Sequence, residues 1–170
     1  MIVTETPRLI LRQITNDDVN DLATIFADPV VMKFWPSTRT YQETKQYCDG
    51  ILSCYQQYGF GLWATIYKAD NNLIGRCGLI PQLVDGQKEV EIGYLLAKEY
   101  WGRGLATEAA IAIKNYGFQQ LGFNRLISLI VPENIASQKV AIKNGMKYEK
   151  DTTHAGIKHR VYAIHKNKIV

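Results

Sequence analysis

Between Glu99 and Ala110 the chain reads EYWGRGLATEAA, and no other stretch narrows the fold as much. Gly102, Gly104 and Ala106 alternate with larger residues, and a helix-forming run follows at once. Upstream, VEIGYLLA reads as a strand; downstream, the almost wholly apolar RLISLIV reads as a strand buried on both faces. Strand, turn, helix and strand in that order predict a parallel pair joined by a right-handed crossover. The turn itself sits where a helix begins. Free N–H groups there point outward with a partial positive charge, and small residues let an anion come close. A pyrophosphate fits such a turn, and Arg103 adds a charge-assisted contact. The other reading of the same spacing is a tight turn with no ligand.

Two nucleotide motifs are excluded. A dinucleotide fingerprint needs a third glycine, and Thr107 stands there; no acidic residue follows at about 20 positions to hold a ribose. No Gly-Lys-Ser/Thr exists for a Walker loop. A nucleotide-dependent oxidoreductase is thereby disfavoured.

The flanking segments fill in a mixed sheet. RLILRQI is a strand, and Thr15 with Asp18 forms a capping box before a short helix striped by Leu22, Ile25 and Phe26. Thr40 with Glu43 opens a second helix that stops at Gly59, with Gly50 expected to bend or split it. GLWATIYK and LIGRCGLIP, joined by ADNN, predict an antiparallel hairpin. NIASQKVAIKNG is a helix capped by Asn134, and MKYEKD and HRVYAIH close the chain as strands. The expectation is an α/β (α+β) domain spanning 1–170, with a seven-stranded, mostly antiparallel sheet and helices on both faces.

Composition excludes several classes. Cys48, Cys54 and Cys77 form no CxxC pair and the three histidines lie at no ligand spacing, so no metal is expected. Net charge is +4 and scattered, which favours an anionic ligand but not nucleic acid. No apolar run approaches the roughly 20 residues that span a bilayer, and no signal-peptide pattern opens the chain. A cytoplasmic location, with no membrane partner, is expected.

With these residues in view, EIGYLLAKEYWGRGLATEA resembles the coenzyme-binding strand, turn and helix start of the GNAT acetyltransferase superfamily. Gly104 and Ala106 match the loop pattern, while Trp101 replaces its Gln or Arg. YWGRGLATEA, TPRLILRQITNDDVNDL, DPVVMKFW and VPENIASQKVAIKNGMKYE together resemble the RimJ/RimL-like branch, the ribosomal-protein N-terminal acetyltransferases.

The resemblance implies a sheet splayed after its fourth strand. It implies that acetyl-CoA pairs with the main chain of Ile92, Gly93, Tyr94, Leu95 and Leu96. The pyrophosphate then meets Gly102, Arg103, Gly104, Leu105, Ala106 and Thr107, and Asn134 touches the coenzyme arm. The coenzyme's 3′-phosphate end would reach Arg103, or Lys139 or Lys143, two lysines that read first as a solvated helix face. The tyrosine that many members use as acid is replaced here by Ala141; the branch places a serine at Ser137, near the sulfur. Glu91, alternating with Val90 and Ile92, is the candidate base. Phe34, Trp35 and Tyr41 would line one wall for the acceptor, with His159 or Tyr162 opposite.

The expected activity is acetyl transfer from acetyl-CoA to a primary amine, in a monomer or homodimer. The branch points to a protein or peptide N-terminal α-amine. A small amine, either antibiotic or polyamine, is the alternative acceptor, and a non-catalytic acyl-CoA-binding module is the alternative class.

Overall fold

The computed structural model describes residues 1–166; the last four residues of the expected domain lie outside them. Eight strands form one sheet: β1 (Ile2–Glu5), β2 (Leu9–Gln13), β3 (Leu62–Tyr67), β4 (Asn72–Val84), β5 (Gln87–Leu96), β6 (Arg125–Ile130), β7 (Lys147–His154) and β8 (Ile157–His165). Their spatial order is β1-β2-β3-β4-β5-β6-β8-β7. Every neighbouring pair is antiparallel except β5–β6. The helices are α1 (Val19–Phe26), α2 (Tyr41–Tyr58), α3 (Leu105–Gln119) and α4 (Ile135–Lys143).

The eighth strand corrects the expected seven. β1 is only four residues long and precedes Thr6-Pro7, so its sequence alone carries little strand signal. Its pairing with β2, from Ile2 opposite Arg12 to Glu5 opposite Ile10, makes it an edge strand. The strand expected to be fourth is therefore β5.

Gly50 neither bends nor splits α2, which runs unbroken from Tyr41 to Tyr58. The capping box is formed: the Thr40 amide donates to Glu43 Oε2 (2.7 Å) and the Glu43 amide to Thr40 Oγ1 (3.2 Å). A Cβ at Gly50 would meet nothing within 4 Å, so the residue faces outward. There glycine costs about 0.5–1 kcal/mol, too little to break a capped helix.

Helices cover both faces. Leu22 and Phe26 of α1 and Cys48 and Ile51 of α2 pack with Leu62, Ala64 and Leu95 on one side. Leu105, Ala109 and Ile113 of α3 and Ala141 of α4 pack with Leu79, Ile92 and Leu126 on the other. Because α3 carries the chain from β5 to β6, its start must lie at the C-terminal end of β5.

The opening that matters lies between the parallel strands. β5 stays with β4 from Val84–Gln87 to Gly75–Leu96, yet its register with β6 is the single pair Glu91–Ile127. Beyond Glu91 the sheet splays.

Candidate active site

The splay creates a cavity of about 690 Å³. Its floor is β5 from Glu91 to Leu96, one end is the turn into α3, and one wall is the start of α4. The other end lies between the loop at Phe34 and Trp35 and the β7–β8 turn. A second, shallow groove runs between β1 and α3, but its carboxylates, Glu5 and Glu108, are already engaged.

The turn into α3 shows why small residues stand there. Gly102 and Gly104 have φ of 72° and 76°, a left-handed conformation that residues with a Cβ adopt at a cost of roughly 1–2 kcal/mol. Gly104 is the N-cap of α3 and supplies no side chain to its free amides. Gly104, Leu105, Ala106 and Thr107, at the helix start where amides have no intrahelical partner, line the cavity. The turn is held from behind. Glu108 accepts hydrogen bonds from Thr6 Oγ1 (2.6 Å), the Arg8 amide (3.0 Å) and Arg8 Nε (2.7 Å), and Arg8 Nη1 donates to the Arg103 carbonyl (3.0 Å). Burial pushes the Glu108 carboxyl up, but these donors hold it below its ordinary value.

The exposed edge of β5 is partly spoken for. The Ile92 carbonyl accepts from Ser128 Oγ (2.8 Å) and the Leu96 carbonyl from the Trp101 indole (2.7 Å). Alternate residues of a strand present their main-chain groups to the same edge, so Tyr94 lies between these two. Trp101, which departs from the expected Gln or Arg, thus anchors the turn to the strand.

Across the gap, the Tyr94 hydroxyl donates to the Ser137 carbonyl (2.8 Å), and Ser137 Oγ donates to the Tyr94 hydroxyl (3.1 Å). This two-way clasp ties β5 to the first turn of α4. Burial pushes the Tyr94 phenol above its ordinary pKa. Asn134 Oδ1 accepts from the Ser137 amide (3.1 Å) and caps α4. Glu91 is buried, and Gln82 Nε2 donates to its Oε2 (2.6 Å). Burial raises the Glu91 carboxyl pKa, although Gln82 and the charge of Arg76 act in the other direction.

Most of the residues singled out in the sequence converge on the cavity: Glu91, Ile92, Gly93, Tyr94, Leu95, Leu96, Gly102, Gly104, Leu105, Ala106, Thr107, Asn134, Ser137, Phe34, Trp35 and His159. Three do not. The Arg103 guanidinium lies 5.3 Å over the Tyr100 ring rather than toward the cavity. Tyr41, the first residue of α2, is half exposed to solvent away from it. Tyr162 is buried in the sheet, its hydroxyl donating to Gln138 Oε1 (3.0 Å), so it braces α4 from beneath. Lys139 and Lys143 are exposed, as a solvated face requires, and also border the cavity. Arg76, Gln82 and His154 line it without having been singled out. Arg76 left one trace in the sequence, a lone charge inside the apolar run LIGRCGLIP. No group of three or more His, Cys, Asp or Glu that could hold a metal occurs among the described residues. Among them, too, no helix is long and apolar enough to cross a membrane.

Comparison with known proteins places this geometry. The family described as acetyltransferase (GNAT) domain matches residues 8–147. The Bacillus subtilis protein YkkB is 36% identical over 146 residues, covering 85% of each chain. A GNAT-family acetyltransferase structure from Bacillus anthracis superposes with a TM-score of 0.82 at 26% identity, covering 97% of this chain and 98% of that one. The ribosomal-protein-S5-alanine acetyltransferase of Vibrio fischeri shares the fold, with a TM-score of 0.77 at 19% identity over 95% of both chains.

Proposed function

The chain belongs to the GNAT acetyltransferase family, and from that premise we propose that this acetyl-CoA-dependent N-acetyltransferase acts on the α-amine of a peptide or protein N-terminus. The observation that carries the reading is the opened edge of β5 running into the free amides of α3. In this reading the pantetheine arm pairs with the main chain of Tyr94, as an added strand would. Ile92 and Leu96 border that contact rather than make it with their carbonyls, which are occupied. The pyrophosphate rests on the amides of Gly104 to Thr107, with Lys139 and Lys143 near the coenzyme's remaining negative charge. Asn134 keeps α4 in register beside the arm.

The reaction needs few groups. The neutral amine attacks the thioester carbonyl carbon, a N–C bond forms, the C–S bond breaks, and the thiolate leaves. Glu91 takes the proton the amine must lose; its raised pKa brings it nearer to that of a working base. Ser137, clasped to Tyr94, returns a proton to the thiolate. A main-chain amide of the open strand faces the oxyanion. The acceptor end supports a chain terminus as guest. It is a slot between the Phe34–Trp35 loop and the β7–β8 turn, where His154 and His159 stand. The resemblance of four segments to the RimJ/RimL-like branch agrees with this acceptor.

The test is thiol release from acetyl-CoA against N-terminal peptides, free amino acids, polyamines and aminoglycosides. Release with peptides, at rates above those with small amines, is expected. Release confined to polyamines or aminoglycosides would contradict the acceptor assignment.

A further inference from the structure

Arg76 is a buried cation that the fold leaves without a partner. It is 6% exposed, and among the described residues its guanidinium makes no ion pair or hydrogen bond; Nε is closed off with none at all. Burying an arginine in this way costs free energy unless something arrives to pair with it. Among the described residues no carboxylate reaches its guanidinium, although its charge is felt at Glu91. Its guanidinium carbon lies 5.9 Å from the centre of the Tyr47 ring, and Arg39 lies over the same ring at 4.0 Å. The Glu91 carboxyl, on the same face of the sheet, is bound by Gln82; burial raises its pKa, and Gln82 and the charge of Arg76 act against that.

The space it occupies has been kept open. Arg76 faces Leu95 across β4–β5, and its head reaches back over Gly93, where Nη1 lies 3.4 Å from where a Cβ would stand. A Cβ at 93 would collide with Ile80 Cδ1 (2.8 Å) and stand in contact with the guanidinium. Arg76, Gly93 and Glu91 all border the cavity. Glu91 lies two residues back on the same face of β5, about 6.6 Å along the strand. An extended chain spans that distance in about two residues.

We propose that Arg76 is the recognition site for a carboxylate on the acceptor, borne within two residues of the amine that Glu91 deprotonates. The proposal rests on the acetyl-transfer reading and narrows it to anionic acceptors. The carboxylate comes from an Asp or Glu side chain at the start of a peptide, or from the α-carboxylate of a free amino acid. A planar guanidinium binds a carboxylate through two parallel hydrogen bonds, which neither an amide nor an ester can match.

Matched acceptors test this. Steady-state kinetics would compare peptides with Asp or Glu at the first two positions against their Asn or Gln counterparts, and free amino acids against their amides. The expected result is a kcat/KM about tenfold or more higher for the acid in one of the two series, which also identifies the source. In Arg76→Gln the preference should vanish through a higher acceptor KM, with the KM for acetyl-CoA unchanged. Arg76→Lys should restore it in part. Equal rates for acid and amide in the wild-type protein would overturn the proposal, whatever the variants do. A second measurement does not depend on turnover: calorimetric titration of the coenzyme A complex with the N-acetylated acidic peptide and its amide. Tighter binding of the acid, lost in Arg76→Gln, supports the site; equal binding overturns it. Failure of all amines to release thiol would instead count against the acetyl-transfer reading.

Discussion

At the coenzyme end of the cleft, the groups offered to a ligand are main-chain groups: the edge of β5 at Tyr94 and the amides of α3 from Gly104 onward. At the acceptor end they are side chains brought in from β4, β5, β8 and the Phe34–Trp35 loop. A ligand shared by a whole family can be met by backbone, which constrains residue size more than residue chemistry. A ligand that differs between members needs side chains, each free to change. The turn into α3 is backed by Arg8 and Glu108, whereas the other end of the cavity holds Arg76, a buried cation without a hydrogen bond among the described residues.

If the two ends divide the work in this way, substitutions should separate them. The largest effect is expected at Glu91. Glu91→Gln removes the base and should lower kcat by about 100-fold or more, with acetyl-CoA affinity kept. In the wild-type enzyme kcat should rise with pH through the raised Glu91 pKa, because only the ionised form accepts a proton; that limb should flatten in the variant. An unchanged pH profile would remove Glu91 from the chemistry.

Next comes Gly104→Val. A β-branched residue at φ 76° strains the helix start, and its side chain would press on Arg8 in the clamp behind the turn, where a Cβ stands 3.7 Å from Nη2. Acetyl-CoA affinity by calorimetry should fall about tenfold or more, the strain alone being worth roughly 1–2 kcal/mol. Unchanged affinity would sink the loop assignment. Ser137→Ala should lower turnover by roughly five- to tenfold, about the worth of one ordinary hydrogen bond, and leave coenzyme affinity intact. If turnover does not move, Ser137 is only the third residue of a capped helix. The smallest effect is expected from Glu108→Gln. It weakens the clamp behind the turn without touching the ligand, so coenzyme affinity should drop about two- to threefold while acceptor KM stays the same.

The same division governs how far the sequence could be read. The turn into α3 was legible because backbone demands leave local marks: Gly102 and Gly104 at positive φ, a strand before them, a helix after. Caps were legible for the same reason, as at Thr40–Glu43 and Asn134. The acceptor end depends on convergence over long separations. Tyr41, Phe34 and Tyr162 are alike as aromatics; only packing decides that Phe34 faces the cavity, Tyr41 the solvent and Tyr162 the core. Arg8 and Glu108 stand a hundred residues apart in the chain, and nothing local announces that they meet. β1 was missed because its pairing with β2 makes it a strand. Arg76 was visible as an oddity, but its meaning needed Gly93 beneath it and the absence of a hydrogen-bonding partner among the described residues.

The most direct test of the central claim, that acetyl-CoA is held by main chain at the splayed strand and the helix start, is amide hydrogen exchange with and without the coenzyme. Slower exchange on binding is predicted at Tyr94 and from Gly104 to Thr107, with little change at the edge strand β1. Tight binding of acetyl-CoA that leaves both segments exchanging as before would contradict the account.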